Sequence, residues 1–276
     1  MILVTGATGN AGGAVVRSLL DAGVEARALV RPGSAPDLPD GAEAVFGDLN
    51  RPDTLRDAIA GASAVFLLSG YEGIAETLAE MRRAGVARVV LLSSSAAPGG
   101  DLTNAVARYH ILSERAVRES GLPWTFLQPN SLMSNTLRWL PQLRKADVIG
   151  DAFADVAVAM IDPADLATVA TKALVSDELE RRSLRLSGPE AIYPADRVRI
   201  LGAALGRELR FEAWSNERAR EEMSAAMPAE YVDAFFSFFV DGTVDETTVL
   251  PTVREVLGRE PVSFEQWVAA NLDAFR

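Results

Sequence analysis

The chain has 276 residues, 49% hydrophobic and 24% charged, the proportions of a globular protein long enough to bury a sizeable core. Its formal net charge of −11 repels phosphate backbones and argues against a nucleic-acid partner, the lack of cysteine excludes disulfides and thiolate chemistry, and a single histidine, His110, excludes a multi-histidine metal site. No apolar run approaches the roughly 20 residues of a membrane span, and no basic region precedes the first strand as in a signal peptide. The expectation is a cytoplasmic protein with no metal and no membrane partner.

In chain order, the first half alternates strands and helices. Strands are expected at Ile2–Val4, Ala26–Val30, Ala44–Phe46, Ala64–Leu68, Arg88–Leu92 and Thr125–Leu127, with helical patterns near 11–22, 53–60, 73–84 and 103–119. Such alternation predicts a parallel sheet covered on both faces, and continuous apolar runs such as VVLL at 89–92 suit strands buried on both sides. Gly23 ends the first helix, and 32–41 reads as a surface loop.

After about residue 130 the rhythm loosens. A helix is expected from Asp162–Asp165 through Ala173, a strand at Ser183–Leu186, and a helix at Asp196–Leu205 stopped by Gly206. Helical patterns follow at 215–226, 229–240, 247–257 and 263–274. The fold class is therefore α/β, a Rossmann-type doubly wound parallel sheet with a smaller, mostly helical C-terminal domain. Residues 1–150 form the dinucleotide domain, with 151–175 rejoining it, and 176–276 form the cap.

Gly6, Gly9 and Gly12 form G-x-x-G-x-x-G directly after the first strand and directly before the first helix. The first glycine permits the tight turn, the second lets backbone approach a pyrophosphate, and the third lets helix pack closely on strand. The helix N-terminus then offers N–H groups and a positive dipole end to phosphates. Thr8, Asn10 and Ala11 of the same loop join the glycines as cofactor contacts. The second strand ends in Leu29-Val30-Arg31, with arginine where an NAD-binding carboxylate would stand. Arg31 suits a 2′-phosphate, which makes NADP(H) the expected cofactor in preference to NAD(H). Asp48 and Leu49, after the third strand, are placed to meet the adenine edge, and Asp48 equally suits a turn or cap.

TGATGNAG, VRPG, GDL, VVLLSSSAA and SGLPWTFLQPNSLMSN together resemble the NmrA-like, atypical branch of the short-chain dehydrogenase/reductases. IDPADLATVATKAL (161–174), LSGPEAIYPADRVRILGAALGREL (186–209) and REPVSFEQWVAANLDAF (259–275) extend the resemblance over most of the chain. It implies a Rossmann sheet with a small C-terminal substrate domain. Members include NAD(P)H-dependent quinone reductases, plant phenylpropanoid reductases and a redox-sensing regulator that binds dinucleotide without obvious turnover.

Catalytic short-chain dehydrogenases carry Tyr-x-x-x-Lys on the helix after the fifth strand, where four-residue spacing sets both groups on one face. Here the family alignment puts His110 at the lysine position and Val106 at the tyrosine position, and a shifted reading gives Tyr109 and Ser113. The resemblance implies that His110 contacts the nicotinamide ribose or donates a proton, as an ordinary histidine titrates near neutrality. Tyr109, about 100° round the helix, is the second-choice donor and suits packing. Ser93, Ser94 and Ser95 lie at the sheet's C-terminal edge, where Ser93 is a cofactor contact and Ser94 a catalytic candidate.

Pro129 ends the sixth strand as a cofactor contact, and Asn130, Met133, Asn135, Trp139 and Phe153 are substrate candidates. Leu140, Trp214 and the phenylalanine-rich run 235–239 would add an apolar wall suited to a flat aromatic substrate. Two functions follow. One is an NADPH-dependent reductase of quinones or conjugated carbonyl compounds, which accept hydride with little acid help. The other is a non-catalytic NADP(H)-sensing regulator. The expected partner is a small aromatic or conjugated substrate, and the expected assembly a monomer or homodimer.

Overall fold

The computed structural model describes residues 1–34 and 37–276, so part of the expected loop at 32–41 lies outside the described residues. The first half contains β1 (Ile2–Val4), α1 (Asn10–Asp21), β2 (Ala26–Val30), β3 (Glu43–Phe46), α2 (Arg56–Ile59), β4 (Ala64–Leu68), α3 (Ile74–Arg83), β5 (Arg88–Leu92), α4 (Ala105–Glu119) and β6 (Trp124–Pro129). There follow α5 (Leu140–Leu143), β7 (Val148–Asp151), α6 (Pro163–Val175), β8 (Arg182–Leu186), α7 (Pro194–Leu205) and β9 (Arg210–Ala213). The chain ends with α8 (Asn216–Ser224), α9 (Ala229–Phe239), α10 (Thr252–Leu257) and α11 (Phe264–Ala270).

The described residues divide into two compact units. The first comprises Met1–Gly100, Arg108–Pro129 and Pro163–Arg185, and the second Asp101–Ala107, Asn130–Asp162 and Leu186–Arg276. The expected boundary near 150 thus falls at 129/130, and of the stretch 151–175 only 163–175 lies in the first unit. The reason is packing. Helix α6 lies along α1, where the Thr171 hydroxyl donates to Ser18 Oγ at 2.8 Å, whereas 130–162 contributes its buried side chains to the second unit's core.

A 7-stranded sheet of order β3-β2-β1-β4-β5-β6-β8 organises the first unit. Strands β3 through β6 pair in parallel. Alternation along each strand sends Leu3, Val65, Leu67, Val89, Leu91 and Phe126 to the face packed by Ala58, Ile59, Leu78, Met81 and Val117 from α2, α3 and α4. The doubly wound class is borne out. The strand order reverses between β1 and β4, and in such sheets ligands bind outside the carboxyl ends of the strands at that switch point.

The second unit has its own core around Met133, Trp139, Ile149, Met160, Leu201, Phe264 and Trp267. It is helical except for β7 and β9, a parallel pair that the sequence pattern does not announce. The helix expected over 247–257 begins only at Thr252, because Pro251 serves as its N-cap. The last pattern, 263–274, is α11 followed by a 3₁₀ turn at Leu272–Phe275.

Candidate active site

The glycine turn sits at the switch point. Gly6 has φ +63°, a conformation that L side chains rarely adopt, and a Cβ there would collide with Leu68 at the end of β4. A Cβ on Gly12 would overlap the Gly6 carbonyl and approach the Thr5 carbonyl oxygen to 2.9 Å. Gly9 differs: its φ is ordinary, and an added Cβ would meet only the Gly6 carbonyl oxygen, at 3.3 Å. Gly9 is the N-cap of α1, no side chain caps the helix, and its first turn holds no acidic residue. Thr8, Gly9 and Asn10 are exposed, while Ala11 and Gly12 are buried against the turn. This cradle fits a diphosphate: backbone N–H groups at an uncapped helix start, with no Cβ in the way.

Arg31 is exposed directly after β2 and makes no ion pair among the described residues. Asp48 is half-buried, and its Oδ1 accepts from Asn50 N at 3.0 Å, closing an Asx turn. Leu49 beside it is buried.

Helix α4 presents His110, Ser113, Glu114 and Val117 along one face, as i, i+3, i+4 and i+7 spacing requires. Glu114 is 4% exposed and is the hub of this face. Its Oε1 accepts from Ser93 Oγ at 2.6 Å and Gln128 Nε2 at 2.7 Å, and its Oε2 from Arg118 at 3.0 Å. The Ser93 hydroxyl is therefore committed to the interior, which corrects its expected part as a side-chain contact of the cofactor. Ser94 is half-buried, and its Oγ accepts from Ala96 N at 3.2 Å. Pro129 is buried at the end of β6, where its carbonyl accepts from Ser95 N at 2.9 Å.

His110 meets Ser69, the residue after β4. Ser69 Oγ lies 2.7 Å from His110 Nδ1 and donates to the Leu92 carbonyl at 2.8 Å. A hydroxyl has one proton, so toward the imidazole Ser69 can only accept. With the hydroxyl proton on the Leu92 carbonyl, the ring proton would lie on Nδ1 and Nε2 would be an acceptor with no partner among the described residues. Burial pushes the imidazolium pKa down to about 3, so the ring is neutral at neutral pH. The proton-donor part expected of an ordinary histidine does not suit this environment, whereas accepting a hydrogen bond does. Tyr109 tilts against His110 with ring centroids 4.2 Å apart and covers Gly70, whose missing Cβ would stand 3.0 Å from the tyrosine ring. This is the packing part.

In the second unit the substrate candidates scatter. Asn130 is buried, its amide donating to the Ala159 and Glu246 carbonyls at 3.2 and 3.1 Å while Oδ1 stays unpartnered. Met133 and Trp139 are each 1% exposed within the core, and the Trp139 indole donates to Asp151 at 2.8 Å. Both belong to the unit's interior and not to an open apolar wall, a correction whose cause is that core and pocket draw on the same residue types. Asn135 is exposed. Phe153, at φ +55°, packs on Phe236 and Phe239 at 5.2 and 5.1 Å between centroids.

Residues 6–177 match the family model described as NAD(P)H-binding. The chain belongs to the NAD(P)H-binding family. Over 100% of its length it is 38% identical to 99% of the (4-alkanoyl-5-oxo-2,5-dihydrofuran-3-yl)methyl phosphate reductase of Streptomyces griseus. It is 33% identical, over 100% of its length and 99% of the other, to the NAD(P)H azoreductase of Xenophilus azovorans. An NADPH-dependent quinone oxidoreductase of Escherichia coli shares the fold, with TM-score 0.80 and 21% identity over 99% of this chain and 100% of that one. So does the NADP(H) complex of the Citrobacter triphenylmethane reductase, with TM-score 0.78 and 24% identity over 98% and 99% of the two chains. The NmrA-like resemblance stands with these findings, and the chain is an NAD(P)H-dependent oxidoreductase.

Sequence reasoning missed three residues of these hydrogen-bond networks, namely Ser69, Glu114 as the hub, and Gln128. Their side chains meet only when β4, β5, β6 and α4 come together. The one signal in the sequence is the 3.6-residue spacing of His110, Ser113, Glu114 and Val117. No helix among the described residues is long and apolar enough to cross a membrane.

Proposed function

We propose that this protein is an NADPH-preferring reductase that delivers hydride to a conjugated carbonyl compound, with quinones as the neighbouring substrate class. The observation that carries the reading is the uncapped, Cβ-free cradle at Gly6, Gly9 and Gly12, set at the sheet's switch point in a chain with two full-length relatives named as reductases. Exposed Arg31, at the end of β2, supports the 2′-phosphate preference.

Bound NADPH supplies the hydride. The helix start at Gly9–Gly12 would hold the diphosphate, Arg31 would pair with the 2′-phosphate, and His110 Nε2 would accept from a ribose hydroxyl. Ser94 is the serine left to meet the nicotinamide or the substrate. A neutral imidazole gives no strong acid, which favours acceptors that need none. The Streptomyces griseus enzyme's substrate, by its name, has a ring alkene conjugated to two carbonyl groups, so charge arriving with hydride spreads over two oxygens. Water then protonates the adjacent carbon, and one alkene is consumed per cofactor oxidised.

The test is titration with NADPH and NADH, followed by cofactor oxidation with a panel of acylated butenolides, with and without a phosphate, and of quinones. Tight NADPH binding with turnover on a conjugated acceptor is expected. Tight binding with no turnover across the panel would overturn the reductase reading in favour of a dinucleotide sensor.

A further inference from the structure

We propose that Ser69 is a positioning residue: it holds His110 as the Nδ1–H tautomer and so keeps Nε2 free to accept a hydrogen bond. The part of Nε2 at the cofactor ribose rests on the functional reading above, whereas the tautomer itself does not.

The geometry of Ser69 favours one proton arrangement. The Leu92 carbonyl cannot donate, so the hydroxyl proton goes to it at 2.8 Å, and the 2.7 Å contact to Nδ1 must be donated by the ring. A neutral imidazole in water favours the proton on Nε2, so the opposite tautomer needs a local cause. The serine is fixed from both sides. Leu68 N donates to Thr5 Oγ1 at 2.9 Å, and Gly70 N donates to Ser113 Oγ at 3.0 Å. Ser113 in turn donates to the Tyr109 carbonyl at 2.7 Å, tying the turn after β4 to the helix turn that bears His110. Gly70, at φ +91°, allows the chain to pass beneath the Tyr109 ring, which a side chain there would strike. The Thr5 hydroxyl links the same turn to the end of β1, immediately before Gly6. Ser69 thus registers the imidazole against the glycine turn through the Leu68–Thr5 hydrogen bond.

The chain's one histidine makes the test direct, since full-length protein made without a histidine tag gives a single set of ring-nitrogen NMR signals. At neutral pH, without cofactor, the signals should report a neutral ring with its proton on Nδ1. Ser69→Thr, which keeps the hydroxyl, should preserve that pattern. Ser69→Ala should move the proton toward Nε2 and raise KM for NADPH about fivefold, the worth of one neutral hydrogen bond, with kcat little changed. A wild-type ring protonated on Nε2, or an unaltered tautomer in a folded Ser69→Ala variant, would overturn the proposal. Should Ser69→Ala not fold, wild type and Ser69→Thr decide. An Nδ1–H ring in a protein that does not bind NADPH would refute the functional reading and leave the part of Ser69 intact.

Discussion

Ser93 donates its hydroxyl to Glu114 across a 2.6 Å hydrogen bond, and both side chains are almost wholly removed from water. The bond joins the end of β5 to the middle of α4, and Gln128 adds β6 to the same carboxylate oxygen at 2.7 Å. A buried carboxylate with three donors is stabilising only while all remain.

Glu114→Ala should therefore lower unfolding free energy by about 3 kcal/mol, as the buried donors lose their acceptor. Ser93→Ala should cost about 1 kcal/mol. In denaturant titrations Ser93→Ala should lose stability while its affinity for NADPH stays that of wild type. A large loss of affinity at unchanged stability would return Ser93 to the cofactor contacts.

The glycines of the turn should separate by function. Gly12→Ala places a Cβ on the Gly6 carbonyl and should yield little folded protein. Gly9→Ala brings its Cβ to 3.3 Å from the Gly6 carbonyl oxygen, a tight contact relieved by a shift of a few tenths of an ångström, and should cost about 1 kcal/mol while binding NADPH at least about tenfold more weakly. Calorimetric binding alongside thermal melts distinguishes the two; equal affinity in Gly9→Ala would remove the diphosphate from this loop.

Arg31→Asp should weaken NADPH far more than NADH, because the substitution replaces a partner of the 2′-phosphate with a like charge. A charge-assisted bond is worth about 1.5–3 kcal/mol, so the ratio of the two dissociation constants should shift by at least about tenfold. An unchanged ratio would sink the assignment.

His110 should leave a mark on the pH dependence of stability. Its pKa is held down to about 3 in the fold against 6.5 unfolded, so below pH 6.5 the unfolded chain takes up a proton that the folded one refuses. Its contribution is therefore flat above that pH and is lost as pH falls. Between pH 7 and 5 the wild type should lose about 2 kcal/mol relative to His110→Gln, which has no such group. Parallel stability curves for the two proteins over that window would contradict the half-buried, neutral imidazole.

Strands β1, β2, β4 and β5 lie where the apolar runs place them, end to end, and Gly206 stops α7 in the left-handed conformation a C-terminal glycine permits. The short pair β7 and β9 escaped notice because four residues such as VIGD or RFEA carry no clear alternation. At the site, the three consecutive serines at 93–95 stood out while Ser69 did not, although Ser69 is the one that meets His110.

What the sequence determined by itself is the dinucleotide-binding half and its class of cofactor. Apolar runs, helix periodicity and the backbone freedom of Gly6 are local properties, written within a few residues of where they act. Tertiary structure alone decided which polar and aromatic side chains serve the interior. Ser93 turned to Glu114, Trp139 to Asp151, and His110 to Ser69, each partner lying more than ten positions away. Proton position, burial and charge state depend on such distant neighbours, since desolvation and hydrogen bonding arise only once the elements have packed.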